Sequence, residues 1–95
     1  MYFEWDERKN RQNVIKHGLD FQDAQEIFNN PMLVEIDERQ NYGEERYIGI
    51  GFLQNRVVVV VFTEKTENVI RIISLRKALK YECRKFEQAI SNRLG

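Results

Sequence analysis

The segment RYIGIGFLQNRVVVVVFTEKTENVIRIIS, residues 46–74, reads as three β-strands in series. Arg46 to Leu53 is the first, closed by Gln54-Asn55 as a tight turn. Arg56 to Thr63 is the second, Glu64 to Asn68 the next turn, and Val69 to Ser74 the third. Connections this short make neighbours antiparallel. Val57 through Phe62 is apolar without alternation, so both faces of that strand need cover and it belongs in the centre of a sheet. Gly49 and Gly51 share one face of the first strand, where the missing side chains let a helix or a ligand come close.

Working outward, Tyr2-Phe3-Glu4-Trp5 reads as a short strand. Asp6 is an N-cap for a helix over residues 7–17, and Gly18 suits its left-handed C-terminal position. The only large apolar residues of that helix are Val14 and Ile15, so most of its circumference must be wet or touch something polar. Asp20 caps a second helix over about residues 21–29, with Phe21, Ala24, Ile27 and Phe28 on one face and Asn29-Asn30-Pro31 as its stop. Met32 to Asp37 reads as a strand and residues 38–43 as a polar loop. The last helix is expected from about Leu75 to Arg93. Leu75, Leu79, Cys83, Phe86 and Ile90 form its apolar stripe; Arg76, Lys80 and Arg84 lie opposite, with Lys77 and Tyr81 beside them. The order β-α-α-β-β-β-β-α predicts one α+β domain over residues 1–95, with a mostly antiparallel sheet of four to five strands.

Composition narrows the class of function. Charged residues make up 32% and hydrophobic residues 42%, a globular balance. Cys83 is the one cysteine and His17 the one histidine, which leaves neither an internal disulfide nor a Cys/His zinc set, and no metal or other cofactor is expected. No apolar run approaches the ~20 residues of a membrane span. Met1 is not followed by a basic-then-apolar leader, so the expected location is the cytoplasm, away from membranes. The zero net charge hides an asymmetry. Residues 1–48 hold six Lys/Arg against eleven Asp/Glu, and residues 49–95 hold nine against four. Either one surface is basic and attracts polyanions, or the acidic half folds onto the basic half and neutralises it.

Arg71 is the residue most out of place, a charge inside Val69-Ile70-Arg71-Ile72-Ile73. It either pairs across the sheet with Glu44 or Glu64, or presents a guanidinium to phosphate, whose geometry its planar fork matches. Glu44 and Arg46 lie two apart on one side of their strand, as an ion pair or as a proton-transfer group beside a charge stabiliser. His17 is the one residue of the type whose unperturbed pKa suits proton transfer near neutrality, although a histidine before a C-cap glycine also serves the helix dipole. Lys9, Asn13 and Lys16 share one helix face, either solvated or walling a substrate groove. Glycine-rich phosphate loops, nucleophile elbows and paired-carboxylate spacings are absent from the sequence.

These segments together resemble the BrnT family of bacterial type II toxins. The likeness rests on Phe3-Glu4-Trp5-Asp6, on Lys9 and Asn13, and on Lys16-His17-Gly18-Leu19-Asp20-Phe21 with Ala24 and Phe28. It continues through Gly43-Glu44-Glu45-Arg46, Arg71-Ile72-Ile73-Ser74 and Arg76-Lys77-Ala78 to Glu82 and Phe86, nearly end to end. Leu75 stands where a smaller residue is common in the family. The resemblance implies a RelE-like fold and a ribonuclease that arrests translation. It also implies a BrnA antitoxin of the ribbon-helix-helix type, through which alone the complex would bind its operator DNA.

On that basis Arg46, Arg71 and Arg76 are expected to bind phosphate and stabilise the transition state of a metal-free cleavage of RNA. His17 or Glu44 is expected to move the proton, and Lys9, Lys16, Lys77 and Lys80 to hold the RNA backbone. The alternative is a non-catalytic RNA- or partner-binding module.

Overall fold

The sheet is built around the valine run. In this computed structural model, which describes residues 1–94, five strands take the order β1-β5-β4-β3-β2. They are β1 (Tyr2–Glu4), β2 (Met32–Ile36), β3 (Tyr47–Leu53), β4 (Arg56–Thr66) and β5 (Val69–Lys77). β4 is central, as its two-sided apolar pattern requires, and β2 through β5 pair antiparallel. β1 pairs parallel with β5, aligning Glu4 with Arg71. The β3–β4 turn carries Gln54 and Asn55 at positive φ, the conformation a two-residue hairpin needs.

The two faces of the sheet differ. Val58, Val60 and Phe62 of β4 join Leu53, Ile70, Ile72 and Leu75 in the main core, closed by Leu19, Phe21, Ala24 and Ile27. Leu19 precedes the Asp20 cap; the other three belong to the capped segment, which forms a 3₁₀ turn (Phe21–Ala24) and then a short helix α2 (Gln25–Phe28) rather than one continuous helix. The glycines of β3 make room for this element and for Met32 of β2. A Cβ on Gly51 would sit 2.9 Å from Ile27 Cγ2, and one on Gly49 would sit 2.6 Å from Met32 Sδ. The close approach is therefore to protein side chains rather than to a ligand. On the other face Ile50, Val59 and Phe86 form a smaller core beneath helix α3 (Lys80–Leu94).

The C-terminal helix starts later than its pattern suggests. β5 runs on to Lys77, so Leu75, Arg76 and Lys77 are strand residues, and Leu75 is buried in the main core. The expected stripe from Leu75 and the Arg76–Lys80–Arg84 face are thus cut short at their first members. Both periods fit Leu75 to Lys77; pairing with Val58 to Val60 settles them as strand.

β5 also carries an irregularity. Val61 aligns with Ser74 but Phe62 aligns with Ile72, leaving Ile73 as an extra residue. Arg71 and Arg76, five positions apart, would face opposite ways on a regular strand. The bulge restores them to one face. Arg71 lies opposite Thr63 and Arg76 opposite Val59, two residues of the same β4 side.

Helix α1 (Glu7–His17) has the predicted bounds, with Asp6 accepting from the Arg8 and Lys9 amides and Gly18 at φ 69°. Its packing inverts the usual rule. The buried residues are Asn10 and Asn13, whereas Ile15 is 86% exposed. Asn13 Nδ2 donates to the Leu75 carbonyl at 2.8 Å and to the Leu19 carbonyl at 2.9 Å, and Asn13 Oδ1 accepts from the Leu75 amide. Asn10 Nδ2 donates to Asp20, and its Oδ1 accepts from the Phe21 amide. Beyond the end of β1, Asn13 does for the edge of β5 what another strand would do. Asn13→Ala would strand three backbone groups and is expected to lower stability by about 2–4 kcal/mol. Ile15→Ala should stay within about 0.5 kcal/mol of the parent. Urea unfolding of both variants checks the contrast.

Candidate functional site

The β5–α1 junction positions the site. Where the last turn of α1 meets the end of β5, a cleft of about 620 Å³ is lined by Lys16, His17, Arg76, Lys77 and Leu79. A second hollow of about 310 Å³ shares Lys16 and His17 and continues along Lys9, Gln12, Asn13, Ile73 and Ser74. Five of the expected site residues, Lys9, Lys16, His17, Arg76 and Lys77, are brought together here. Among the described residues, no carboxylate lies within ion-pair distance of Lys9, Lys16 or Lys77. Lys80 is exposed in the first turn of α3 and lines neither hollow.

Arg76 is held in place. Glu82, buried in the first turn of α3, accepts from its two terminal nitrogens at 2.8 and 2.9 Å and from the Leu79 amide at 2.8 Å. The fork-to-fork bond raises the Arg76 pKa and lowers that of Glu82, against the burial that opposes both charges. Arg39 lies near enough for its charge to oppose that of Arg76. Arg39 is itself clamped by Asp37, whose carboxyl is pulled down to about 2, chiefly by this partner.

Arg46, Glu44 and Arg71 are not in the cleft. Arg46 Nε donates to Glu44 at 2.9 Å, and its guanidinium lies 4.0 Å from the centre of the Tyr42 ring. Arg71 pairs with Glu4 at 3.6 Å; Lys65 reaches the same oxygen at 3.8 Å. The Arg71 partner is thus neither Glu44 nor Glu64, because the parallel register of β1 puts Glu4 alongside it. Arg46 precedes Tyr47, which stacks on Phe62 in the main core, so alternation sends Arg46 to the face that carries Arg71 and Arg76. Arg46 and Arg71 stand two strand spacings apart, about 10 Å. The three arginines share one side of the sheet, each with its own carboxylate, rather than converging in one pocket. Both charge readings hold in part: Glu4 and Glu35 pair with Lys65, Arg71 and Lys85 of the basic half, while the α1–β5 cleft keeps its cations.

Sequence reasoning missed two members of this surface. Glu82 was placed only by resemblance, since helical spacing does not reveal that its partner sits on a strand. Arg39 was read as part of a polar loop, and no local pattern marks it. Among the described residues there is no helix long and apolar enough to cross a membrane, and no three His, Cys, Asp or Glu residues gather to hold a metal ion.

The comparisons with known proteins agree with this architecture. The crystal structure of the Brucella abortus ribonuclease toxin BrnT superposes with a TM-score of 0.65 at 29% identity, covering 84% of this chain and 99% of that one. The fold is shared with that small bacterial toxin. A family profile described as "Ribonuclease toxin, BrnT, of type II toxin-antitoxin system" matches residues 5–82, and the chain belongs to that family. No curated protein sequence matches it.

Asp37 gives a pH prediction. Its folded pKa of about 2 lies below the ordinary 3.8, so its contribution is complete above that value and disappears as pH falls towards 2. Acid unfolding of Asp37→Asn should therefore show a shallower loss of stability across that window than the parent protein.

Proposed function

We propose that this chain is the toxin of a type II pair and acts as an endoribonuclease, cutting RNA in the cytoplasm and so arresting translation. The observation that carries this reading is the cleft in which Arg76, clamped by Glu82, stands with Lys16, His17 and Lys77. His17 takes the ribose 2′ proton, and the 2′ oxygen attacks phosphorus. The 5′ oxygen leaves with a proton from water, giving a 2′,3′-cyclic phosphate and a 5′ hydroxyl. Arg76, Lys16 and Lys77 stabilise the charge that grows on the phosphorane. Proton transfer belongs to His17 rather than Glu44, because Glu44 is engaged by Arg46 outside the cleft. Lys9 and Lys80 hold flanking phosphates, and Arg46 and Arg71 offer further contacts on the same side of the sheet. The route uses the substrate's own hydroxyl and needs no metal.

The partner in this proposal is a BrnA-like ribbon-helix-helix antitoxin that covers the cationic cleft, and the complex reaches operator DNA only through it. A second reading, a non-catalytic RNA- or partner-binding module, draws on one observation: Arg46, Arg71 and Arg76 each already hold a carboxylate. It predicts salt-sensitive RNA binding without product.

Labelled RNA incubated with the purified protein in excess chelator decides between them. Cleavage should persist, fall about 10²–10⁴-fold in His17→Asn and fall about 10²–10³-fold in Arg76→Ala. Circular dichroism should show both variants folded. Undiminished cleavage by both would reject the cleft as the active site.

A further inference from the structure

The cationic cleft has an apolar step on one rim that RNA phosphates do not explain. Leu79, which lines the cleft, is 55% exposed, and Tyr81, two residues on, is 63% exposed. Tyr81 stands in the first turn of α3, next in sequence to the Glu82 that grips Arg76. In the chain it lies between Leu79, which lines the cleft, and Glu82, which holds Arg76, so the ring belongs to the segment that forms the cleft rim. It takes part in none of the aromatic contacts of the core, where Phe3, Phe28, Phe62 and Tyr47 pack together and Phe52 meets Phe86. No side chain hydrogen bond ties it down among the described residues.

We propose that Tyr81 is a stacking platform for an unpaired nucleobase of single-stranded RNA whose adjoining phosphate sits among Lys16, Arg76 and Lys77. The charge of the cleft selects the anion, and the ring supplies a flat apolar surface that a neighbouring base can cover. Leu79 extends that surface towards the cleft floor. A base held inside a duplex is already stacked on both sides and cannot use it, so the site distinguishes single strands from duplexes. The inference rests on the reading of this cleft as an RNA site.

The probe is a fluorescently labelled octaribonucleotide with 2′-O-methyl groups throughout, which lacks the attacking hydroxyl and so reports binding alone. Anisotropy titrations should show that Tyr81→Ala weakens binding at least about fivefold, while Tyr81→Phe keeps parental affinity. A series of single abasic substitutions adds the decisive arm. One position should weaken binding to the parent protein and cost nothing further in Tyr81→Ala, the signature of two groups that touch. The matching duplex should bind the parent and Tyr81→Ala equally. Equal binding of the single strand by both proteins, or abasic penalties that are additive with the tyrosine change, would overturn the stacking role and leave the nuclease reading standing. Failure of the parent to bind the single strand at all would overturn both.

Discussion

The structure depends on two buried asparagines. α1 has almost nothing apolar to bury, yet it must sit against the edge of β5 to bring Lys16 and His17 beside Arg76. Asn13 solves this by bonding to both backbone groups of Leu75, and Asn10 ties the helix to the turn that begins at Asp20. Because these bonds are directional, they set the rotation of the helix about its axis, which a greasy stripe would leave looser. The rotation then dictates which side chains line the cleft. Lys9, Gln12, Lys16 and His17 face it, and Ile15 is left in water.

The bulge at Ile73 has equal weight for the other wall. It brings Arg76 to the face that carries Arg71, within reach of the first turn of α3, where Glu82 can clamp it. The carboxylate partners are part of the same design. A guanidinium held by two short bonds keeps its orientation without a ligand, and its remaining nitrogen and its exposed edge stay available. The Arg46–Glu44 pair is more exposed, so water screens it, it contributes little to stability, and an incoming polyanion can exchange with it.

Much of this was legible beforehand where a local rule decides the outcome. Asp6, Gly18 and Asp20 mark their caps because short polar side chains and glycine do specific jobs at helix ends. The turn at Gln54-Asn55 and the central valine strand followed from spacing and from two-sided apolarity. What failed were places with two acceptable periods or a distant partner. Leu75 to Lys77 suits helix and strand alike. Arg71 needed the parallel register of β1 to reveal Glu4, and Arg39 needed the path of a polar loop. Gly49 and Gly51 signalled a close approach: a helix does come close at Gly51, through Ile27, while Met32 of β2 fills the space at Gly49.

The sequence by itself determined the order of elements, the antiparallel core of the sheet, most helix ends and, through the Lys-His-Gly and Arg-Ile-Ile-Ser segments, the family. Those features rest on interactions between residues near in the chain, or on motifs spelled out in order. Only the tertiary structure decided which cations meet, which carboxylate holds each arginine, and why a polar helix face is buried. Such choices turn on one extra residue in a strand and on bonds spanning 62 positions from Asn13 to Leu75, and neither leaves a local pattern to read.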